Sequence, residues 1–441
     1  MTESTAAQRP RALTPTRVHV ASLVVGFVVL LVLGRDQWFA YDDWSILHST
    51  YSLWASHQGH WTTIPTLLFQ ALRDTVGLRS YLPYLCLALL AHLAIVHLVW
   101  RIALRAGVTP WVATGFACAT VLLGSGAENL FWAFQVGYMG AVAVALVVVL
   151  LVDRARLGFG LSIMAATIAV LALPFSGTAL AVLLAAAVLS WVRRGFLRTV
   201  AIFAPAGIVY VGWYLLVGRV DDNGLGVHGV QWVTRAPLFL ATIFGAGYGE
   251  FTGLVFLGPA VAIGLVAWLI VARKRWLGRE AIAYVLILAA FVFAALSSIT
   301  RGGGELSAAG SQRYVYVIVM LSLPTMELAL SAVARRRREW LVAAVVAVSA
   351  VGVVNATLAV IRSSEQGVVE QTIKRQYSAA AFLIARDPTA YPPGAQPVLV
   401  GAPDVTVADI REEVAHHLVD LVPFTSADLA AVRSNLGAAA R

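Results

Sequence analysis

Charge is scarce in this sequence. Asp, Glu, Lys and Arg make up 12% of 441 residues, against roughly 25% in a soluble domain, which excludes an ordinary water-soluble globule. Lysine is nearly missing, with Lys274 and Lys374 alone, so the positive charge is almost all Arg. Two cysteines, Cys86 and Cys118, both fall in apolar runs. That excludes a disulfide framework or a thiolate metal site. Nucleotide-binding glycine patterns are also missing. Gly302-Gly303-Gly304 has neither Walker nor dinucleotide spacing, which argues against ATP and NAD. No internal repeat marks the two halves of an inverted-repeat transporter.

What the chain has is apolar length. Its mean hydropathy is +0.80 and 59% of it is hydrophobic. Runs of about 20 residues recur, each able to cross a ~30 Å hydrocarbon layer. The candidate spans are 18–34, 81–104, 110–126, 133–152, 157–173, 177–192, 199–217, 251–272, 280–298, 312–333 and 340–361, about eleven in all. Pro174 to Gly177 would make 157–192 a tight helical hairpin. The expected fold class is an all-α polytopic membrane protein.

Basic clusters occur at alternate turns: Arg9, Arg11 and Arg17; Arg101 and Arg105; Arg154 and Arg156; Arg193, Arg194 and Arg198; Arg273 to Arg275 with Arg279; and Arg335 to Arg338. The intervening turns hold fewer, and the positive-inside rule then puts the N-terminus in the cytoplasm. Topology thus accounts for the net charge of +9, and no nucleic-acid partner is expected. No small-residue cleavage site follows the first run, so it reads as an uncleaved span. Three divisions follow: a cytoplasmic tail 1–17, a transmembrane domain 18–362 with a long first outer loop 35–80, and an extracytoplasmic segment 363–441. In the last, Tyr377 to Ala385 reads as helix, Pro397 to Val400 as strand and Val407 to Leu421 as amphipathic helix, a small mixed α/β unit. Arg, Ala, Val and Gly enrichment suggests a high-GC bacterium, hence a multi-pass protein of the bacterial plasma membrane.

The outer loops collect the unusual chemistry. Asp42 and Asp43 lie among Trp38, Tyr41 and Trp44. One reading is that a carboxylate caps an interfacial helix running from Trp44 to His57. The other is a general base, strengthened by burial among aromatics. Adjacent side chains diverge, so one would be the base and its neighbour would orient it or hold a cation. His60 could meet a phosphate or a sugar hydroxyl and Trp61 a sugar face, or both could belong to an interfacial belt. His48 and His57 read as ordinary polar-face residues. Glu128 and Asn129, beside Gln135, occupy a very short outer loop where a carboxylate is costly unless paired or hydrated. Arg301 and Arg313 flank the glycine run and suit an anion clamp, although Arg313 could simply snorkel. Asp221, Asp222 and Asn223 fit a turn better than a metal loop.

Tyr41-Asp42-Asp43-Trp44 directly after the first span resembles the acidic motif of the GT-C superfamily of membrane glycosyltransferases. Gly59-His60-Trp61 with Pro65, Asn129 to Gln135, and Ser311-Gln312-Arg313-Tyr314 are similar to stretches in bacterial members. The resemblance covers the spans to about residue 330 and implies a GT-C-like fold. It also implies transfer of a sugar from a polyprenyl-phosphate donor to a hydroxyl of a cell-envelope glycan, lipid or protein, on the extracytoplasmic face and with inversion. Asp42 or Asp43 would be the base. Arg313, Arg301 and His60 would hold the donor phosphate, and Trp44, Trp61, Glu128, Asn129 and Gln135 would contact substrate. A divalent cation (Mg, Mn or Ca) is a candidate cofactor, with no ligand set that decides the metal question. The alternatives are a transporter or flippase of lipid-linked sugars, and a non-catalytic envelope-assembly subunit. Near-absence of mid-span acids argues against transport.

Overall fold

The computed structural model describes residues 13–48, 52–220 and 226–439. Arg9, Arg11, Asp221, Asp222 and Asn223 lie outside them. Among the described residues the regular structure is helical, apart from one hairpin of two-residue strands. Seven helices among the described residues are long and apolar enough to cross a membrane, and two bent pairs could add two more spans. Of the eleven expected runs, 110–126 and 251–272 fall in the bent pairs, and 157–173 and 177–192 form helices of 14 and 17 residues.

Helix α1 (Pro15–Leu33) starts as local rules require, with Thr14 accepting from Arg17 N–H at 3.3 Å and Pro15 in the first turn. The first loop carries α2 (Asp42–Leu47), the hairpin β1 (Ser56–His57) and β2 (His60–Trp61), and α3 (Thr63–Val76). The helix expected from Trp44 to His57 therefore ends at Leu47. Gln58 and Gly59, both at positive φ (53° and 81°), reverse the chain into the hairpin instead.

Next come α4 (Leu82–Ala106), closed by Gly107 at φ 100°, and α5 (Pro110–Thr120). The chain then bends by 47° through Gly124-Ser125-Gly126 into α6 (Ala127–Phe131), splitting the span expected at 110–126. Freed backbone groups cannot be left unpaired in lipid, and distant side chains meet them. Asn355 Oδ1 accepts from Ser125 N–H at 3.0 Å, and Arg362 donates to the Gly124 carbonyl at 3.0 Å.

Helix α7 (Val136–Val152) is buried on nearly every side, against α4, α8 (Phe159–Ala172) and α9 (Thr178–Arg194). Helices α8 and α9 are 14 and 17 residues long and pack on α7 and α10 (Phe196–Leu216) rather than on each other, so the tight hairpin expected around Pro174 is not formed. After α10 come α11 (Gln231–Thr252) and α12 (Leu257–Val271). These last two meet at a 109° bend after Gly253, so the span expected at 251–272 is half of a bent pair. Helices α13 (Ala281–Arg301) and α14 (Gln312–Ala334) pack together, and α14 also lies on α4 and α11.

The last span does not end near 361. It continues as one 49-residue helix, α15 (Arg338–Arg386), through the expected boundary at 363. Beyond it are α16 (Val407–Ala415), with a Thr406–Asp409 capping box, and α17 (Ser426–Ala439). Pro397 to Val400 is bend and turn, not strand. Pro397 has no N–H to give a ladder, and the described residues offer no strand beside it. The C-terminal segment is thus helical rather than mixed α/β. Its Val398, Val405 and Ile410 belong to the same apolar core as Trp38, Phe39 and Trp44.

Candidate functional site

The first loop enters after the end of α1 remote from the basic turns, and two carboxylates open α2. Their environments differ sharply. Asp43 is completely buried. Its Oδ2 accepts from Ala40 N–H at 3.1 Å and from the Tyr81 hydroxyl at 2.9 Å. Tyr81 in turn accepts from Ala133 N–H at 2.7 Å, so Asp43 ties the first loop to the turn before α7. Burial, reinforced by the neighbouring Asp42 charge, raises the Asp43 pKa to about 8, against the opposing effect of the hydrogen bonds.

Asp42 keeps 26% of its side chain exposed and lies 3.3 Å from His57 Nε2. His57 packs edge-on to Phe134. The residue before the pair, Tyr41, holds φ 51° and ψ −121°, a conformation costing a non-glycine residue about 1–3 kcal/mol. What holds it there is a hydrogen bond from Tyr41 N–H to the Gly401 carbonyl at 2.5 Å, while its ring meets Trp132 edge-on. This strained backbone stands directly beside the partly exposed Asp42.

A cationic and polar wall completes the site. Arg313, at the start of α14, is 3.7 Å from Glu128, and Ser311 donates to the other Glu128 oxygen at 3.1 Å. Asp42 acts electrostatically on Arg313. Arg313, Arg301 and Glu128 all act on the Tyr138 hydroxyl, so these groups share one region. Tyr138 also bonds His60 Nε2 at 3.1 Å, and Ser176 lies 3.4 Å from His60 Nδ1. Arg301 donates to the Gln58 carbonyl at 2.7 Å, fastening α13 to the hairpin turn.

Asp42, His60, Glu128, Arg301 and Arg313 therefore come together. Four other candidates do not face open space. Trp44 is fully buried and stacks on Tyr377 at 5.8 Å. Trp61 is buried against Trp213, with rings 5.3 Å apart and parallel within 5°. Asn129 and Gln135 are buried together, 3.5 Å apart. The two tryptophans turn inward under a second layer of chain, Tyr377 over Trp44 and Trp213 over Trp61. His57, read as an ordinary polar-face residue, is the main omission. The signal was present: X-Gly between two histidines is a two-residue hairpin turn, which returns His57 and His60 to adjacent positions. Tyr81, Tyr138 and Ser176 had no local signal. Among the described residues no cluster of three His, Cys, Asp or Glu side chains could hold a metal.

The fold and site define a polytopic helical protein with a carboxylate–imidazole pair beside paired arginines. No protein-family profile matches the chain, and no curated protein does. Among solved structures it is similar to the Archaeoglobus fulgidus oligosaccharyltransferase, tethered with an acceptor peptide containing the NVT sequon. The identity is 14% and the TM-score 0.46, over 92% of this chain and 59% of that one. The chain spans about three-fifths of that protein's length. A likeness of this size leaves the function to be argued from the site.

Proposed function

We propose that this protein is a GT-C-type membrane glycosyltransferase. It moves a sugar from a polyprenyl-phosphate donor to a hydroxyl of a cell-envelope glycan, lipid or protein at the extracytoplasmic face. The observation that carries the reading is the half-exposed Asp42, paired with His57 and within the field of Arg313. Asp42 takes the proton of the acceptor hydroxyl, whose oxygen forms a bond to the anomeric carbon from the face opposite the leaving group. The bond from that carbon to the phosphate oxygen breaks, and the lipid phosphate departs with the electron pair. Arg313 and Arg301 hold its charge. Inversion follows from the single displacement. Asp43 is the neighbour that orients Asp42.

The test is turnover by the purified protein in lipid with a panel of polyprenyl-phosphate sugars. Removing a general base costs about 10²–10⁴-fold, so Asp42→Asn should lose at least a hundredfold in rate while remaining folded. Full transfer activity in Asp42→Asn would overturn the assignment of the base. One observation favours the transporter alternative: Glu327 in α14 is buried, and its Oε2 has no hydrogen-bond partner among the described residues. Buried membrane acids of this kind often serve transport pathways. Donor translocation across vesicles, lost in Glu327→Gln and without any sugar transfer by the parent protein, would support that reading instead.

A further inference from the structure

A second built feature lies far from Asp42. Between α9, α11, α12 and α13 is an apolar slot of about 920 Å³, at the upper end of the ~300–1,000 Å³ typical of ligand pockets. Leu240, Phe244, Ile263 and Phe291 line its length, and Trp276 and Leu277 form its end wall. No charged side chain is among its lining residues. Its two lining tyrosines are already partnered, Tyr248 with Ser322 at 2.8 Å and Tyr284 with Glu280 at 2.5 Å. The interior therefore offers hydrocarbon contact and nothing else.

The end wall belongs to a cationic turn. Arg273, Lys274 and Arg275 immediately precede Trp276. Arg193 reaches across from α9 to the carbonyls of Leu277 and Gly278, at 3.2 and 2.9 Å. Most of these cations are committed. Arg193 pairs with Asp153 at 3.2 Å, Arg275 with Glu280 at 3.3 Å, and Arg279 donates to the carbonyls of Arg105 and Leu104. Arg273 and Lys274 are exposed and have no ion pair among the described residues, and Arg273 makes one long hydrogen bond, 3.5 Å, to the Ile270 carbonyl. A half-open apolar slot beside two exposed cations that lack an ion pair matches one kind of molecule, in which an anion is joined to hydrocarbon.

We propose that this slot binds an anionic glycerophospholipid of the leaflet at the protein's basic end. Its chains lie between α11, α12 and α13, and its phosphate meets Arg273 and Lys274. This site is separate from the reaction site, which opens at the opposite end of α1.

The experiment titrates the full-length protein in neutral detergent with dioleoyl phosphatidylglycerol or dioleoyl phosphatidylcholine, following bound lipid by native mass spectrometry. Each cation near a membrane surface is worth about fivefold in affinity for anionic lipid. Phosphatidylglycerol should therefore bind on the order of twentyfold more tightly, and R273Q/K274Q should remove that preference. A control pair at another basic turn, R335Q/R336Q, should keep it. Ala262→Trp, which fills the slot, should weaken both lipids. Inorganic phosphate should not compete. Equal binding of the two lipids, equal loss in the control pair, unchanged binding in Ala262→Trp, or competition by inorganic phosphate would each overturn the proposal. None of these readouts depends on sugar transfer.

Discussion

Two adjacent aspartates meet different environments, Asp43 wrapped in protein and Asp42 partly open. Asp43 holds its proton to about pH 8, well above the unfolded value near 4. Between those limits the folded chain retains a proton that the unfolded chain has released. Stability from this group therefore falls as pH rises from about 4 to about 8, then levels. Melting temperatures across that window should decline less steeply in Asp43→Asn than in the parent. The amide resembles the protonated acid in shape and charge, so Asp43→Asn should also keep most of its transfer rate. That outcome, set against a deep loss in Asp42→Asn, would separate the orienting carboxylate from the reacting one. His57→Gln should lower the rate with little change in melting temperature, since its 3.3 Å contact with Asp42 bears on the reaction more than on the core.

At the scale of elements, the broken span after α5 depends on close backbone approach. A Cβ on Gly124 would lie 2.2 Å from both the Asn355 carbonyl oxygen and the Ala359 nitrogen. Neither backbone atom can move alone, so Gly124→Ala should cost at least about 3 kcal/mol, measurable as reduced thermal stability in detergent. Asn355→Leu should cost about 1–3 kcal/mol for each buried group it leaves unpaired. These partners explain what the sequence concealed. Val121-Leu122-Leu123 continues an apolar run without a break signal, and the side chain that supports the bend is 230 residues away. By contrast, α13 and α14 lie close to their expected limits, because Gly and Arg punctuate their ends locally while Pro324 is carried inside α14. The same division holds at the site. The acidic pair stood out against apolar surroundings, whereas the roles of its members depend on Tyr81, Ala133 and Gly401, none of them near in sequence.

Taken as a whole molecule, the C-terminal segment is a clamp on the first loop. Tyr377 stacks on Trp44, Glu370 accepts from Trp38 N–H at 2.7 Å, and Leu78 N–H donates to the Leu418 carbonyl at 2.7 Å. Gly401 is the tightest point, with φ 88° and a Cβ position 2.2 Å from the Ile373 side chain. Gly401→Val should cost about 1–3 kcal/mol. By displacing the carbonyl that holds Tyr41, it should also reduce turnover, by up to about a hundredfold for a shift near 1 Å. Comparing its rate with its melting temperature checks both effects.

Helix α15 sets a length scale for this clamp. Its 49 residues rise about 73 Å, more than twice a ~30 Å hydrocarbon layer. Gln37 and Trp38 are fastened to it at Ser363 and Glu370, less than two turns apart. The helix is therefore a ruler, and the fastening fixes the level along it at which the loop carrying Asp42 stands. On the proposed function, a donor would have to present its anomeric carbon at that level. Carriers that differ only in how far their phosphate rides above the bilayer would then be sorted by elevation rather than by recognition of the sugar.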